Sequence, residues 1–203
     1  MADSTYNLNF RKAGLYRIKS VELASRYLDP KDWQVVKAWA LEENLLQVGK
    51  LNTAQSIINV LIERLSVLSD SELQQLVDSA PQEQGLYLWL GACRAYPMIA
   101  DFMTDVVRER IEDNRETLSY GDFDSFVMEK SVDHPELGSA SEYTLYKTKQ
   151  VLFRLMKESG FFLNKKLVVP VLLPAFVQHV AMNNPNNLLY LPAPADLLKG
   201  LAR

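Results

Sequence analysis

The chain has 203 residues, enough for one medium domain or two small ones. Hydrophobic residues make up 48% and charged residues 23%, an ordinary balance for a soluble globular protein, and no run of about 18 apolar residues is present to span a bilayer. A single cysteine excludes an internal disulfide, and with two histidines beside it a Cys/His zinc site is nearly excluded, so neither metal nor cofactor is expected.

The net charge of −3 is unevenly spread. Residues 1–68 carry nine Lys/Arg against seven Asp/Glu, residues 69–138 five against fifteen, and residues 139–203 eight against three. These stretches also read as the divisions of one compact unit. The first is a helix-turn-helix-like set of three helices and the second an acidic central helical hairpin. The third is a basic long helix with a small C-terminal module. Basic ends around an acidic middle suggest nucleic acid for the ends and other contacts for the middle. Solvated faces that differ by chance are the plain alternative.

In chain order, the polar segment Met1 to Phe10 lacks the basic and apolar blocks of a signal peptide, so a cytoplasmic location is expected. Arg11, Lys12 and Arg17 cluster around Gly14, with Lys19 just beyond; this is an exposed basic arm or a frayed terminus, with the first several residues disordered. Ile18 to Leu28 reads as a short helix stopped by Asp29-Pro30. The next begins at Pro30 or Lys31, carries Trp33, Val36, Ala40, Leu41 and Leu45 on one face, and ends near Gly49.

Asn52-Thr53 reads as an N-cap pair for a third helix that runs to about Leu68. Its first turns expose Thr53, Gln55, Ser56 and Asn59, with Lys50 just ahead. Three short helices, the third polar at its start, match a helix-turn-helix unit whose recognition helix meets base edges. A plain three-helix bundle with an ordinary cap has the same pattern. Asp70 or Ser71 caps the next short helix, with Glu72 in its first turn.

Pro81 to Arg115 is the most apolar helical stretch and reads as the central hairpin of an all-α core, broken at Tyr96-Pro97. After a turn at Gly121-Asp122, a short helix runs from Phe123 to about Lys130. A long helix from Ser139 or Ser141 to Ser159 carries Lys147, Lys149, Arg154 and Lys157, with Gly160 placed as its C′ residue. In the tail, Leu167–Val169 and Leu188–Leu191 read as short strands on either side of a helix from Pro174 to Met182, a small winged-helix-like or hairpin module.

Catalytic chemistry is hard to place. Asp101, Asp105, Glu109 and Asp113 fall four apart, but mixed with Arg108, Arg110 and Arg115 they read as a solvated helix face. Asp122 and Asp124 are explained by a helix cap, Cys93 by a buried structural thiol, and no phosphate-loop motif is present. An enzyme is not expected. The nucleic-acid candidates are Arg11, Lys12, Arg17, Lys19, Lys50, Asn52, Thr53, Gln55, Ser56, Lys147, Lys149 and Arg154. Lysines would track phosphates, while the polar residues near Thr53 could meet bases.

A family resemblance adds to this reading. Glu43-Asn44-Leu45-Leu46-Gln47, Trp89-Leu90, Cys93-Arg94-Ala95-Tyr96, Asp101-Phe102 and Arg108-Glu109 carry its first half. Asp122-Phe123-Asp124-Ser125-Phe126, His134-Pro135-Glu136-Leu137, Gln150-Val151-Leu152-Phe153-Arg154 and Glu158-Ser159-Gly160 complete it. The sequence resembles the BrxA family of the BREX bacteriophage-exclusion systems over roughly residues 15 to 200. The resemblance implies a mainly helical protein with a core similar to the NusB-type fold. It also implies double-stranded DNA binding beside the methyltransferase and other BREX proteins; the absence of a spanning segment argues against membrane insertion. A protein–protein scaffold and RNA binding in the NusB manner are the alternatives.

Overall fold

Short polar side chains and prolines begin most of the helices in the computed structural model, which describes residues 5–202. After a 3-10 turn at Leu8–Lys12 come α1 (Arg17–Tyr27) and α2 (Trp33–Glu42), the latter capped by the Asp32 carboxylate, which accepts from the Gln34 N–H at 2.7 Å. Next are α3 (Leu51–Leu65) and α4 (Asp70–Asp78). A reciprocal box opens α4: the Glu72 N–H donates to Ser69 Oγ, and the Ser69 N–H donates to the Glu72 carboxylate. Proline starts both α5 (Pro81–Ala95) and α6 (Pro97–Asp101). A π-helical segment at Phe102–Val107 carries α6 straight into α7 (Arg108–Glu112).

The second half contains α8 (Tyr120–Lys130), α9 (Pro135–Ser139) and α10 (Glu142–Glu158). An antiparallel hairpin pairs β1 (Phe162–Leu163) with β2 (Lys166–Leu167). The chain closes with α11 (Pro174–Asn183), a 3-10 turn at Pro185–Tyr190 and α12 (Ala195–Leu201). The fold is mainly helical, as expected.

Helix α5 lies at its centre. Residues 84–93 are all buried, the mark of a helix enclosed on every side. It packs against α1, α3, α4 and α10. Two glycines allow the close approaches: a Cβ at Gly91 would sit 2.5 Å from the Arg64 carbonyl oxygen of α3, and one at Gly85 would sit 3.2 Å from the Ser159 Cα. Trp89 is fully buried, its indole N–H donating to the Tyr190 carbonyl at 2.9 Å and its ring edge-on to Phe161. One hydrophobic core draws on all three charge-defined stretches.

The π segment has a packing reason. Ile99, Met103, Val107 and Ile111 are buried at intervals of four. On a 3.6-residue helix that spacing drifts about 40° per step, and the wider π turn absorbs part of the drift. It also keeps Phe102 among Phe123, Phe126 and Phe153.

Several local expectations are corrected. Residues 5–17 are neither an exposed arm nor a frayed end: Tyr6, Phe10, Ala13 and Leu15 are buried in the core. The disorder expected for the first several residues lies, for residues 1–4, outside the described residues. Helix α2 stops at Glu42 because Asn44 and Gln47 adopt left-handed φ of 46° and 53°. Lys50 occupies the N-cap of α3, so Asn52 and Thr53 lie inside the helix and cap nothing. Gly121-Asp122 is likewise the first turn of α8, with Asp122 reaching back to the Ser119 N–H at 2.7 Å. Pairing at Phe162–Leu167 replaces the strand expected at Leu167–Val169, and Leu188–Leu191 lies in and just past a 3-10 turn rather than in a strand.

Candidate nucleic-acid interface

Helix α10 is amphipathic because Thr148, Leu152, Phe153, Leu155 and Met156 fall on one side and are buried. Its start is set by Ser141, whose Oγ accepts from the Thr144 N–H at 3.2 Å, and Gly160 ends it with a φ of +88°. The other side carries the cations. Lys147 donates to Gln150 Oε1 at 3.1 Å and lies over the Tyr143 and Tyr146 rings. Both tyrosines are exposed, so their faces meet solvent beside the ammonium group rather than the core. Arg154 is 54% exposed, pairs with Glu158 at 2.6 Å and lies over the Tyr16 ring. Lys157, the charged position left out of the expected site, is exposed one turn further on.

Lys149 is different. Its ammonium group donates to both Asp124 oxygens, at 2.7 and 2.8 Å, and lies over Tyr120. Only 13% of the side chain is exposed. The geometry makes it a tie between α8 and α10 first, with little charge left for a ligand.

The N-terminal segment reaches α10 through a device that the sequence did not announce. Arg64, 3% exposed, donates to the carbonyls of Gly14 at 2.7 Å, Ala13 at 2.9 Å and Phe10 at 3.0 Å. Burial depresses its pKa to about 10, partly offset by Tyr96, Glu158 and Glu63, so the guanidinium stays charged at neutral pH. The Leu15 N–H donates to the Glu158 carboxylate, and a Cβ at Gly14 would touch that carboxylate and the Arg154 guanidinium. Residues 14–16 therefore lie directly against the Arg154–Glu158 pair.

The remaining candidates fall elsewhere. Arg11 donates to the Leu8 carbonyl at 3.1 Å, and Lys12 is exposed on the same 3-10 turn. Arg17 is turned to Gln84 of α5 at 2.6 Å, and Lys19 pairs with Glu22 at 3.1 Å. Lys50, Asn52, Thr53 and Gln55 are exposed at the start of α3, with Ser56 half-buried. That start lies about 20 Å along the helix axis from Arg64, the point where α3 meets the segment under Arg154. The two basic regions are separate patches bridged by the N-terminal segment, which packs on both α3 and α10.

The acidic stretch is extensively paired within the molecule. Lys130 meets Asp105 at 2.9 Å and Asp101 at 3.7 Å, and Asp101 also accepts from the Tyr6 hydroxyl at 2.5 Å. Arg115 bridges Glu109 and Asp113, Arg108 meets Glu112, and Arg110 holds Asp122. A bidentate Arg94–Glu72 pair, at 2.5 and 2.7 Å, joins α4 to α5, and Arg94 Nε donates to Asn187. Cys93 is buried beside it, with burial pushing its thiol pKa well up. Among the described residues no group of three or more His, Cys, Asp or Glu could hold a metal ion, and no helix is long and apolar enough to cross a membrane.

Together these features define a mainly helical protein that presents a cationic, tyrosine-flanked helix on a single core. The chain belongs to the BrxA family, whose model matches residues 4–184. It is 26% identical over 131 residues to a BREX protein BrxA of Bacillus cereus (strain H3081.97), covering 64% of this chain and 66% of that one. It is 24% identical over 139 residues to a BREX protein BrxA of Escherichia coli O9:H4 (strain HS), covering 68% of this chain and 65% of that one. The matches thus span just under two thirds of these relatives' lengths. The fold is shared with the crystal structure of an uncharacterized protein from Magnetospirillum magneticum, at a TM-score of 0.81 and 18% identity, covering 94% of this chain and 99% of the other.

Proposed function

We propose that this protein is a non-catalytic, double-stranded-DNA-binding component of a BREX phage-defence system. The reading is supported by its BrxA relatives, which are BREX proteins by name. The observation that carries DNA as the ligand is the exposed side of α10, where Lys147, Arg154 and Lys157 stand in a row beside Tyr143 and Tyr146. Such a row neutralises backbone phosphates whatever the sequence. Lys50, Asn52, Thr53, Gln55 and Ser56 form the second contact, with Arg11 and Lys12 between. Other BREX proteins meet the acidic middle stretch in this reading.

The test is fluorescence anisotropy with a labelled duplex of about 30 base pairs at several salt concentrations. Saturable binding that weakens steeply with salt is the expected result; no binding at low salt refutes it. A scaffold role without DNA is favoured by a different observation, the exposed apolar run of Val168, Val169, Val171 and Leu173. In that case pull-downs with other BREX components succeed while duplex binding fails. Competition with RNA of equal length separates the NusB-like alternative.

A further inference from the structure

Beside the cationic row, α8, α10 and the β-hairpin enclose a cleft of about 640 Å³ whose chemistry differs from that of the open surface. Its walls are aromatic: Phe153 stands edge-on to Tyr120 at 4.9 Å and to Phe162 at 5.3 Å, with Leu118 beside them. Its rim is cationic, formed by Arg154, Lys157 and Lys165, and no carboxylate lines it. Arg154 is shared with Glu158, but among the described residues Lys157 and Lys165 have no ion pair or hydrogen-bond partner for their side chains.

The hairpin turn places Lys165 there against local preference. Asn164 and Lys165 both adopt left-handed φ, 50° and 63°, as a two-residue hairpin turn requires. Asparagine accepts the first position readily, whereas the second ordinarily takes glycine. The chain instead holds a lysine there, and its side chain reaches the rim of the cleft.

An aromatic floor under three cations fits a flat ring carrying a multiply charged anion. The volume lies within the roughly 300–1,000 Å³ of small-molecule sites. A monocarboxylate would answer only one of the two unpaired cations, Lys157 and Lys165, whereas a phosphate monoester presents up to two charges and three acceptor oxygens. We propose that this cleft binds a nucleotide unit, the base stacked on the exposed Tyr120 ring beside Phe153 and Phe162 and the phosphate on Arg154, Lys157 and Lys165. Stacking is tolerant of base identity because every base has a π face. The unit is either a free nucleoside monophosphate or one unstacked nucleotide of a single strand. The site does not depend on the duplex reading, since a paired and stacked base cannot enter it.

Calorimetric titration of the full chain with AMP tests the proposal, with adenosine and inorganic phosphate as partial probes. AMP is expected to bind at least about tenfold more tightly than either part. Tyr120→Ala should weaken AMP by about tenfold, and Lys157→Glu and Lys165→Glu should each do the same. All three positions are exposed, so retained helicity and melting temperature serve as the folding control. An eight-nucleotide single strand that binds more tightly than AMP identifies strand as the source; a weaker one identifies the free nucleotide. Equal binding of AMP and phosphate, no binding of AMP at millimolar concentration, or wild-type affinity in all three variants would overturn the proposal. Tyr120→Ala should keep its affinity for blunt duplex, so failure of the cleft is distinguishable from failure of duplex binding.

Discussion

Replacing Arg64 with methionine should undock the N-terminal segment without dismantling the helical core. The side chain supplies three charge-assisted hydrogen bonds to the Phe10, Ala13 and Gly14 carbonyls. The Phe10 carbonyl keeps a second donor, the Ala13 N–H at 3.2 Å, so two carbonyls are left without a donor and one is weakened. Each buried carbonyl left unpaired costs about 1–3 kcal/mol. Against this, the variant no longer desolvates a guanidinium, and methionine fills much of the same volume at an apolar site. The expected net loss is about 2–4 kcal/mol. A ceiling exists because the segment can detach, giving up burial of Tyr6, Phe10 and Leu15 at about 1.5–3 kcal/mol each. Urea denaturation gives the total, and amide hydrogen exchange locates it. Leu15 and Ser20 should lose protection first, while residues 86–93 of α5 keep theirs. A loss below about 1 kcal/mol with the Leu15 amide still protected would refute the anchoring role assigned to Arg64.

Other perturbations follow from the same geometry. Burial pushes the Glu72 carboxyl up, but hydrogen bonds from Arg94 and the Ser69 N–H outweigh it and hold its pKa below the ordinary 4.5. Its stabilisation is therefore complete above that value and is lost as pH falls through the depressed folded value. Glu72→Gln should cost about 3 kcal/mol at pH 7 and flatten the acid limb of the stability profile; an unchanged acid limb would count against the pair. Gly91→Ala forces a Cβ to 2.5 Å from a backbone oxygen of α3, so α3 and α5 must separate, at about 1–3 kcal/mol in chemical denaturation. A neutral or stabilising result would mean the helices shift apart freely. For duplex binding, Lys147→Glu and Arg154→Glu should each weaken affinity and lower the salt slope by about 1. Lys149→Ala should instead act mainly on stability, because Asp124 already neutralises its charge. Equal binding losses at all three positions would show that the Asp124 tie opens when DNA binds.

How legible the fold was in the sequence depended on how local each cause is. The Tyr96-Pro97 break, the Glu72 first turn, the span of α10 and its glycine stop all came from one or two residues acting on their own backbone. The cationic side of α10 was legible too, being written in apolar spacing, whereas burial of α5 on every side needed the helices packed around it. Boundaries failed where a neighbour in space competed with a local preference. Leu188 and Leu189 have an apolar composition that suits a strand, but no partner strand reaches them among the described residues, and the chain turns as a 3-10 helix under the Trp89 indole instead. The hairpin formed five residues earlier than the β-branched run, where Phe162 could pack on Phe153.

The candidate site divides in the same way. Charge and spacing along one helix name Lys147, Lys149 and Arg154, but not which of them is already neutralised. That depends on Asp124, which sits 25 residues away in sequence and 2.7 Å away in space. Arg64 reads as an ordinary helical arginine until the N-terminal segment lays its Phe10, Ala13 and Gly14 carbonyls on the guanidinium and buries it. The cleft needs α8, α10 and the hairpin turn together. Helices and their faces were determined by the sequence alone, because backbone hydrogen bonding and side-chain periodicity act within a few residues. Which charges remain free, and what they surround, was decided only by the tertiary structure, because ion pairing and burial depend on distances that the order of residues does not contain.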